Sequence, residues 1–323
     1  MRVLRGDVPA WLDDVHALFV RAEVHGLAGV VDAKLRGRPE LDESLRDVRL
    51  RELARALDHA AHLDLLHRID HALVSAGIGA IALKGALLAE RLYATPSSRV
   101  TSDVDLLVAE ADTLAAIEAL STIGYSHDDN ETERRYRREH HHLHLSHAAS
   151  LPLELHFHAY RGFGSTLRSE PLLRRKERVR DFEAIGVLSA SDELAYLAVH
   201  AAAHRFGRIA WLYELALLVG RMSGEEVALA ARHAADAGYR RVVGFAADLL
   251  VDVLGVDPAR VAPLRRLGSS RGRVARALVR EPAHPRMRSL SRFVYSLALC
   301  DDPASTVRYA RRAVLGYITA RSA

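Results

Sequence analysis

The 323-residue chain holds one cysteine, three lysines and no long unbroken apolar run. Each scarcity excludes something. A lone cysteine, Cys300, forms no internal disulfide and builds no multi-cysteine zinc site, so a reducing, cytoplasmic setting is expected. The longest apolar stretch, VVGFAADLLVDVLGV, is interrupted by Asp248 and Asp252, and neither a transmembrane helix nor a membrane partner is expected. The opening MRVLRGDVPAWLDDVHALF turns acidic before any apolar run that a secretory signal would need. There is no fixed-period repeat and no low-complexity tract. With lysine so rare, arginine carries nearly all of the positive charge behind a net +4. Most arginines interleave with acids, as in RELARALDH, which is the pattern of a solvated helix face. The denser runs ERRYRREHHH and PLLRRKERVR offer contact with phosphates or nucleic acid as the competing reading.

What is present is an ordinary globular composition, 49% apolar and 27% charged, in a chain long enough to bury a sizeable core. Residues 9–76 space their apolar residues by three and four, the period of helices, and end at the glycine-rich SAGIGA. The period then changes. IGAIAL reads as a buried strand, ALLAERLYA as a helix interrupted by TPSS, and SDVDLLVA as a strand with Asp103 and Asp105 on one face. EADTLAAIEALSTIGY reads as a helix ending near Gly124. HHLHLSH and LPLELHFHA alternate with period two across a short AAS connection and read as a hairpin. In its second strand Leu153, Leu155 and Phe157 share one face, and Glu154, His156 and His158 the other. From Ser191, an expected N-cap, the pattern is helical to the end, with SDELAYLAVHAAAHRFGRIAWLYELALLVGRM as its first segment. The expected class is α+β, a small mixed sheet between two helical regions: 1–76 helical, 77–160 the α/β core and 161–323 a helical domain.

The chemistry concentrates in IALKGALLAERLYATPSSRVTSDVDLLVAE, residues 81–110. Two aspartates at i and i+2 on a strand project the same way, so Asp103 and Asp105 can converge on one hard cation or a pair. Glu154 completes a two-metal site if its strand pairs near 103–105. Two Mg²⁺ ions about 3.5–4 Å apart, with Mn²⁺ as the alternative, would clamp an in-line phosphoryl or nucleotidyl displacement. The same stretch supplies a phosphate-side turn. Lys84 and Gly85 precede a helix whose N-terminal amides suit an anion, Gly85 permits close approach, and Lys84 adds a compact charge. Arg99 adds a fork of donors.

The order strand, Lys-Gly turn, helix, D-x-D and hairpin with a third acid resembles the DNA polymerase β-type nucleotidyltransferase superfamily. More narrowly, LKGALLAERLY, SDVDLLV, LPLELHFH and LAVHAAAHRF followed by WLYELA resemble the uncharacterised nucleotidyltransferase family, over about residues 50–220. The resemblance implies that Asp103, Asp105 and Glu154 are catalytic metal ligands, with Lys84 and Gly85 forming the nucleotide-side turn. It departs from the superfamily at Lys84-Gly85, where Gly-Gly or Gly-Ser is usual, and at Glu154, where an aspartate is usual. The implied activity moves NMP from an NTP, with ATP the expected donor, to an acceptor hydroxyl or phosphate on a small molecule, a peptide or protein, or a tRNA end.

Eighteen histidines raise a second question. His142 and His144 would share one strand face, and His156 would sit beside Glu154 and orient it or contact a phosphate, or the whole cluster is a polar sheet face. His200 and His204 stand at i and i+4, a spacing that binds zinc, but without the H-E-x-x-H glutamate they fit substrate contact or helix packing. Trp211, Tyr213 and Glu214 are expected on the same helix as those two. Two other classes compete with the transferase: a nucleotide-fold binding module without catalysis, and a His/Asp phosphohydrolase resting on His127 and Asp128 alone.

Overall fold

The structure, a computed structural model, describes residues 4, 14–36, 46–127, 140–279 and 285–321. It divides into two compact units, Met1–Ala159 with Arg168–Ser189, and Tyr160–Leu167 with Ala190–Ala323. In chain order the elements begin with α1 (Val15–Val24), α2 (Ala28–Leu35), α3 (Arg46–Ser75), β1 (Ala80–Ala82), α4 (Gly85–Leu92) and β2 (Val104–Val108). They continue with α5 (Thr113–Ser121), β3 (His142–Leu145), β4 (Leu153–His156), β5 (His158–Gly162), β6 (Ser165–Arg168), α6 (Ser169–Arg174), β7 (Glu177–Arg178) and β8 (Ile185–Val187). The class is α+β, as expected.

The first unit is organised by a six-stranded mixed sheet in the order β3-β4-β2-β1-β8-β7. β2 runs antiparallel to β1 and parallel to β4, and β3 pairs antiparallel with β4 as the expected hairpin. Alternation sorts the two faces. Val104, Leu106 and Val108 of β2, Leu153 and Leu155 of β4, and Leu143 and Leu145 of β3 join one buried cluster with Leu65, Leu66, Ile69 and Leu73 of α3 and Ala116 and Leu120 of α5. Because side chains alternate, Asp105, Glu154, His142, His144 and His156 must take the opposite face. A slip of one residue in either pairing would drive carboxylates into the aliphatic cluster, so the core fixes the register that places the polar residues.

Turn chemistry explains two boundaries. α3 ends because Gly77 adopts φ +69°, and Gly77 N–H donates to Val74 O (2.9 Å) while Ile78 N–H donates to Leu73 O (3.0 Å). This paired closure is how a left-handed glycine terminates a helix. Near the end of α3, buried Asp70 accepts backbone N–H bonds from Glu183 (3.0 Å), Ala184 (3.0 Å) and Ile185 (2.7 Å), which ties the helix to the start of β8.

In the second unit the regular elements described after 189 are all helical: α7 (Ala190–Ala203), α8 (Ile209–Arg221), α9 (Gly224–Asp236), α10 (Arg240–Leu249) continued by a π-helical turn (Leu250–Leu254), α11 (Ala262–Arg265), α12 (Arg271–Ala277), α13 (Pro285–Leu299) and α14 (Pro303–Arg321). α9 opens on a capping box, with Glu226 N–H donating to Ser223 Oγ (3.2 Å) and Ser223 N–H to Glu226 Oε2 (2.6 Å). Asp301 caps α10 by accepting from the N–H groups of Arg240 (2.7 Å) and Arg241 (2.8 Å).

The structure corrects several expectations. Ser191 is not an N-cap: α7 already includes Ala190, and the Ser191 hydroxyl donates to Glu226 O at 3.0 Å. The long helix expected from 191 is two helices. Arg205 and Phe206 adopt φ of 54° and 53°, and Phe206 N–H closes the turn on Ala201 O at 2.7 Å. Two consecutive left-handed residues without glycine are strained and need support from packing. Arg205 supplies it, being buried with its guanidinium donating to Ser291 Oγ (3.1 Å) and lying over the Tyr295 ring. Trp211, Tyr213 and Glu214 therefore belong to α8, not to the helix of His200 and His204. Near the N-terminus the chain turns at Gly26 and divides α1 from α2, Asp103 precedes β2 rather than lying in it, and the strand through Glu154 stops at His156. The separate strand β5 and the strands β6, β7 and β8 were not anticipated, since their segments carry no readable period. The basic run 133–139 and Asp128 lie outside the described residues.

Replacing Asp70 with alanine leaves the buried N–H groups of Ala184 and Ile185 without their acceptor. The expected loss is about 3 kcal/mol, read as a lower denaturant midpoint, with Asp70→Asn falling between alanine and wild type. An unchanged midpoint for Asp70→Ala would contradict the role given to this carboxylate.

Candidate active site

Three strands deliver the site. Asp105 on β2 is the register partner of Glu154 on β4, and Glu154 is the register partner of His144 on β3, so these three residues form one row across the sheet. His156 and His142 pair in the adjacent row. On the other side of β2, Leu83 N–H donates to Asp105 O at 3.1 Å and extends the β1–β2 ladder. That bond brings the next residue, Lys84, beside Asp105. Gly85 then enters α4 with φ +75°, a conformation that a side chain would strain. A narrow cleft lined by Lys84, Gly85, Thr101, Asp103 and Asp105 opens here.

Asp105 is the centre of the charges. It is 3% exposed, and its Oδ1 lies 3.0 Å from Lys84 Nζ and 3.2 Å from His156 Nε2. Burial alone would raise its pKa, but Lys84 and His156 outweigh burial and hold the carboxyl well below the ordinary carboxylate range. Its second oxygen, Oδ2, is buried and has no hydrogen-bond partner among the described residues. Such an atom costs free energy unless a cation or donor meets it.

The neighbours respond to this charge. Burial and the nearby Asp105 raise Asp103, against the pull of Lys84 and Arg99. Glu154 is lowered, first by its contact with His156 at 3.4 Å, with burial opposing and His142 assisting. Burial works to lower His156, yet the bonds to Asp105 and Glu154 prevail and raise it, which favours the protonated ring between the two carboxylates. His142 behaves oppositely: burial and the facing His156 push it down to about 4, and it stays neutral.

The expected site residues therefore separate into groups. Lys84, Asp105, Glu154 and His156 converge within contact distance. Asp103 lies beside them at the cleft, bonded by Ser102 Oγ at 3.4 Å, and Arg99 is anchored by donating to Thr101 Oγ1 at 3.1 Å. Phe157 sits on the core side, as expected, whereas His158 leaves the cluster to face Glu110 at 3.7 Å. His200 and His204 belong to the second unit, where their rings lie 4.8 Å apart and 5.5 and 5.1 Å from that of Trp211. His142 and His144 stand nearer to Glu154 than the alternation alone could tell, because only the β3–β4 register sets their distance. A larger depression between α3 and α5, lined by Arg68, Ala72 and Ala115 among others, contains none of these residues.

A model of the family described as uncharacterised nucleotidyltransferase matches residues 13–255, most of the chain. The chain belongs to this family, and with it to proteins that transfer a nucleotidyl group from an NTP to an acceptor, in general with divalent metals. No curated protein and no solved structure matches the chain significantly. Among the described residues, no helix is long and apolar enough to cross a membrane.

Lys84 is only 13% exposed at its side chain, so its bond to Asp105 is a buried ion pair. Removing one partner of such a pair strands the other. Lys84→Met should cost about 3 kcal/mol of stability, and the double variant Lys84→Met/Asp105→Asn should lose less than the sum of the two single changes. Thermal melts of the four proteins measure this, and additive losses would show that the pair is not coupled.

Proposed function

We propose that this chain moves NMP from an NTP to an acceptor hydroxyl or phosphate, with ATP as the donor, and that Asp103, Asp105 and Glu154 are its catalytic carboxylates. The observation that carries the reading is the row formed by Asp105 and Glu154, with Asp105 Oδ2 buried and unpartnered beside it. An orphaned carboxylate oxygen next to further carboxylates is what a hard divalent cation requires, so the donor set fits Mg²⁺. Bound there, Mg²⁺ or Mn²⁺ would neutralise the triphosphate and the leaving pyrophosphate and make the acceptor oxygen more nucleophilic.

The chain's own residues account for the rest. Asp105 is poised as a ligand because Lys84 and His156 keep it ionised inside the fold. Gly85 and the first turn of α4 present amides to the phosphates, with Arg99 at the rim of the cleft supplying a second cation. In the transfer the acceptor oxygen bonds to the α-phosphorus, the bond from that phosphorus to the α–β bridging oxygen breaks, and pyrophosphate leaves. The acceptor proton passes to Glu154, which His156 holds in place. The acceptor is a small molecule, a peptide or protein, or a tRNA end, in a cytoplasmic setting.

A second reading has one observation in its favour. Lys84 already places a cation against Asp105, which suits a nucleotide-binding module that uses the lysine in place of a metal and transfers nothing. Label in the α- or the γ-phosphate separates the two. Transfer of α-label, and not γ-label, to an acceptor in the presence of Mg²⁺ is expected. Tight NTP binding with no transfer to any acceptor class would favour the module.

Asp103→Asn and Asp105→Asn should each lower kcat by a factor of at least about 100 while the protein still folds. Glu154→Gln should lower kcat more than it weakens NTP binding. Single-turnover kinetics and equilibrium NTP binding measure the two effects. Near-normal turnover in either aspartate variant would remove the assignment.

A further inference from the structure

The polar face of the sheet does not end at the carboxylates. Beyond Glu154, towards the sheet edge, stand His142 and His144 of β3, the outermost strand. His144 Nδ1 lies 3.8 Å from Glu154 Oε1, and His142 Nε2 lies 4.0 Å from Glu154 Oε2. Both distances exceed hydrogen-bond length, yet the ligating atoms of all three residues lie within 4.8 Å of one another. Two imidazole nitrogens and a carboxylate thus surround a common point without closing on it. In a tetrahedral zinc site, with bonds of about 2.0–2.2 Å, ligand atoms stand about 3.3–3.5 Å apart. Closing those spacings to bonding geometry calls for side-chain rotation at exposed His144 and partly buried Glu154 towards the mostly buried His142. The His144 side chain is 59% exposed.

The ligand chemistry differs from that of the neighbouring position. Asp103 and Asp105 offer oxygen alone, which suits a hard ion, whereas two imidazoles and one carboxylate suit a borderline first-row ion and leave a coordination position open. We propose that His142, His144 and Glu154 form a binding site for a zinc-class divalent ion at the edge of the sheet, sharing Glu154 with the carboxylate site but separate from it. The site rests on its own ligand set and needs no step of nucleotidyl transfer, although an ion there would fix the orientation of the carboxylate assigned above to the acceptor side.

Zn²⁺ titration by calorimetry tests the site on the full chain after chelator treatment, with Co²⁺ absorption as a reporter of imidazole ligation. The expected result is ~1 Zn²⁺ per chain at micromolar affinity or tighter, not displaced by millimolar Mg²⁺. His144→Ala, at an exposed position where folding is readily verified by circular dichroism, should weaken it by at least about tenfold, and His142→Ala likewise. Asp103→Asn should leave zinc affinity unchanged, so the two metal assignments can fail separately. The proposal is overturned if no zinc binds, if zinc binding survives His144→Ala undiminished, or if Mg²⁺ displaces it at equal concentration.

Discussion

A single buried negative charge organises the first unit around its site. Asp105 sits in the middle of a sheet, almost without solvent, where an unpaired carboxylate would protonate or unfold the strand that carries it. It does neither because Lys84 and His156 both touch Oδ1. The pairing satisfies one oxygen and leaves Oδ2 without a partner. The contacts that make the charge tolerable also keep it ionised and leave one buried oxygen unsatisfied, the position at which the proposed cation would bind. This also gives a physical reason for a lysine at position 84 in a chain that otherwise uses arginine. A compact ammonium on a flexible stem reaches one carboxylate oxygen at the turn before α4, where a planar fork would demand two.

The rest of the fold holds that arrangement in register. The aliphatic residues of β2, β3 and β4 alternate against α3 and α5, and the polar residues of the same strands fall on the opposite face by necessity. One row across three strands, His144, Glu154 and Asp105, then spans from the sheet edge to its centre. Its two ends differ in donor chemistry, nitrogen at the edge and oxygen at the centre, with Glu154 between them. His156 bridges the two carboxylates, and their proximity favours its protonated form.

Much of this was legible in the sequence, for identifiable reasons. Period-two alternation in HLHL and LELH carried the hairpin, the D-x-D spacing brought Asp103 and Asp105 to one cleft although Asp103 precedes the strand, and the Lys-Gly turn marked the start of α4. The alignment of Asp105 with Glu154 was conditional on a strand pairing that local sequence does not encode, since parallel neighbours are chosen by the whole core. The same ignorance of register hid how near His142 and His144 come to Glu154. The break between α7 and α8 escaped because left-handed residues are read from glycine, and here Arg205 and Phe206 take that conformation under tertiary support from Ser291 and Tyr295. Lys84 was expected to serve a phosphate; its contact with Asp105 appears only in three dimensions.

The central claim is that the carboxylates around Asp105 hold paired divalent ions when nucleotide is bound. Electron paramagnetic resonance of Mn²⁺, titrated into the chain with a non-hydrolysable NTP, tests it most directly. The account predicts two bound ions per chain with the spin–spin coupling of a separation of about 3.5–4 Å. Bound nucleotide with no bound Mn²⁺, or with one magnetically isolated ion, would contradict it.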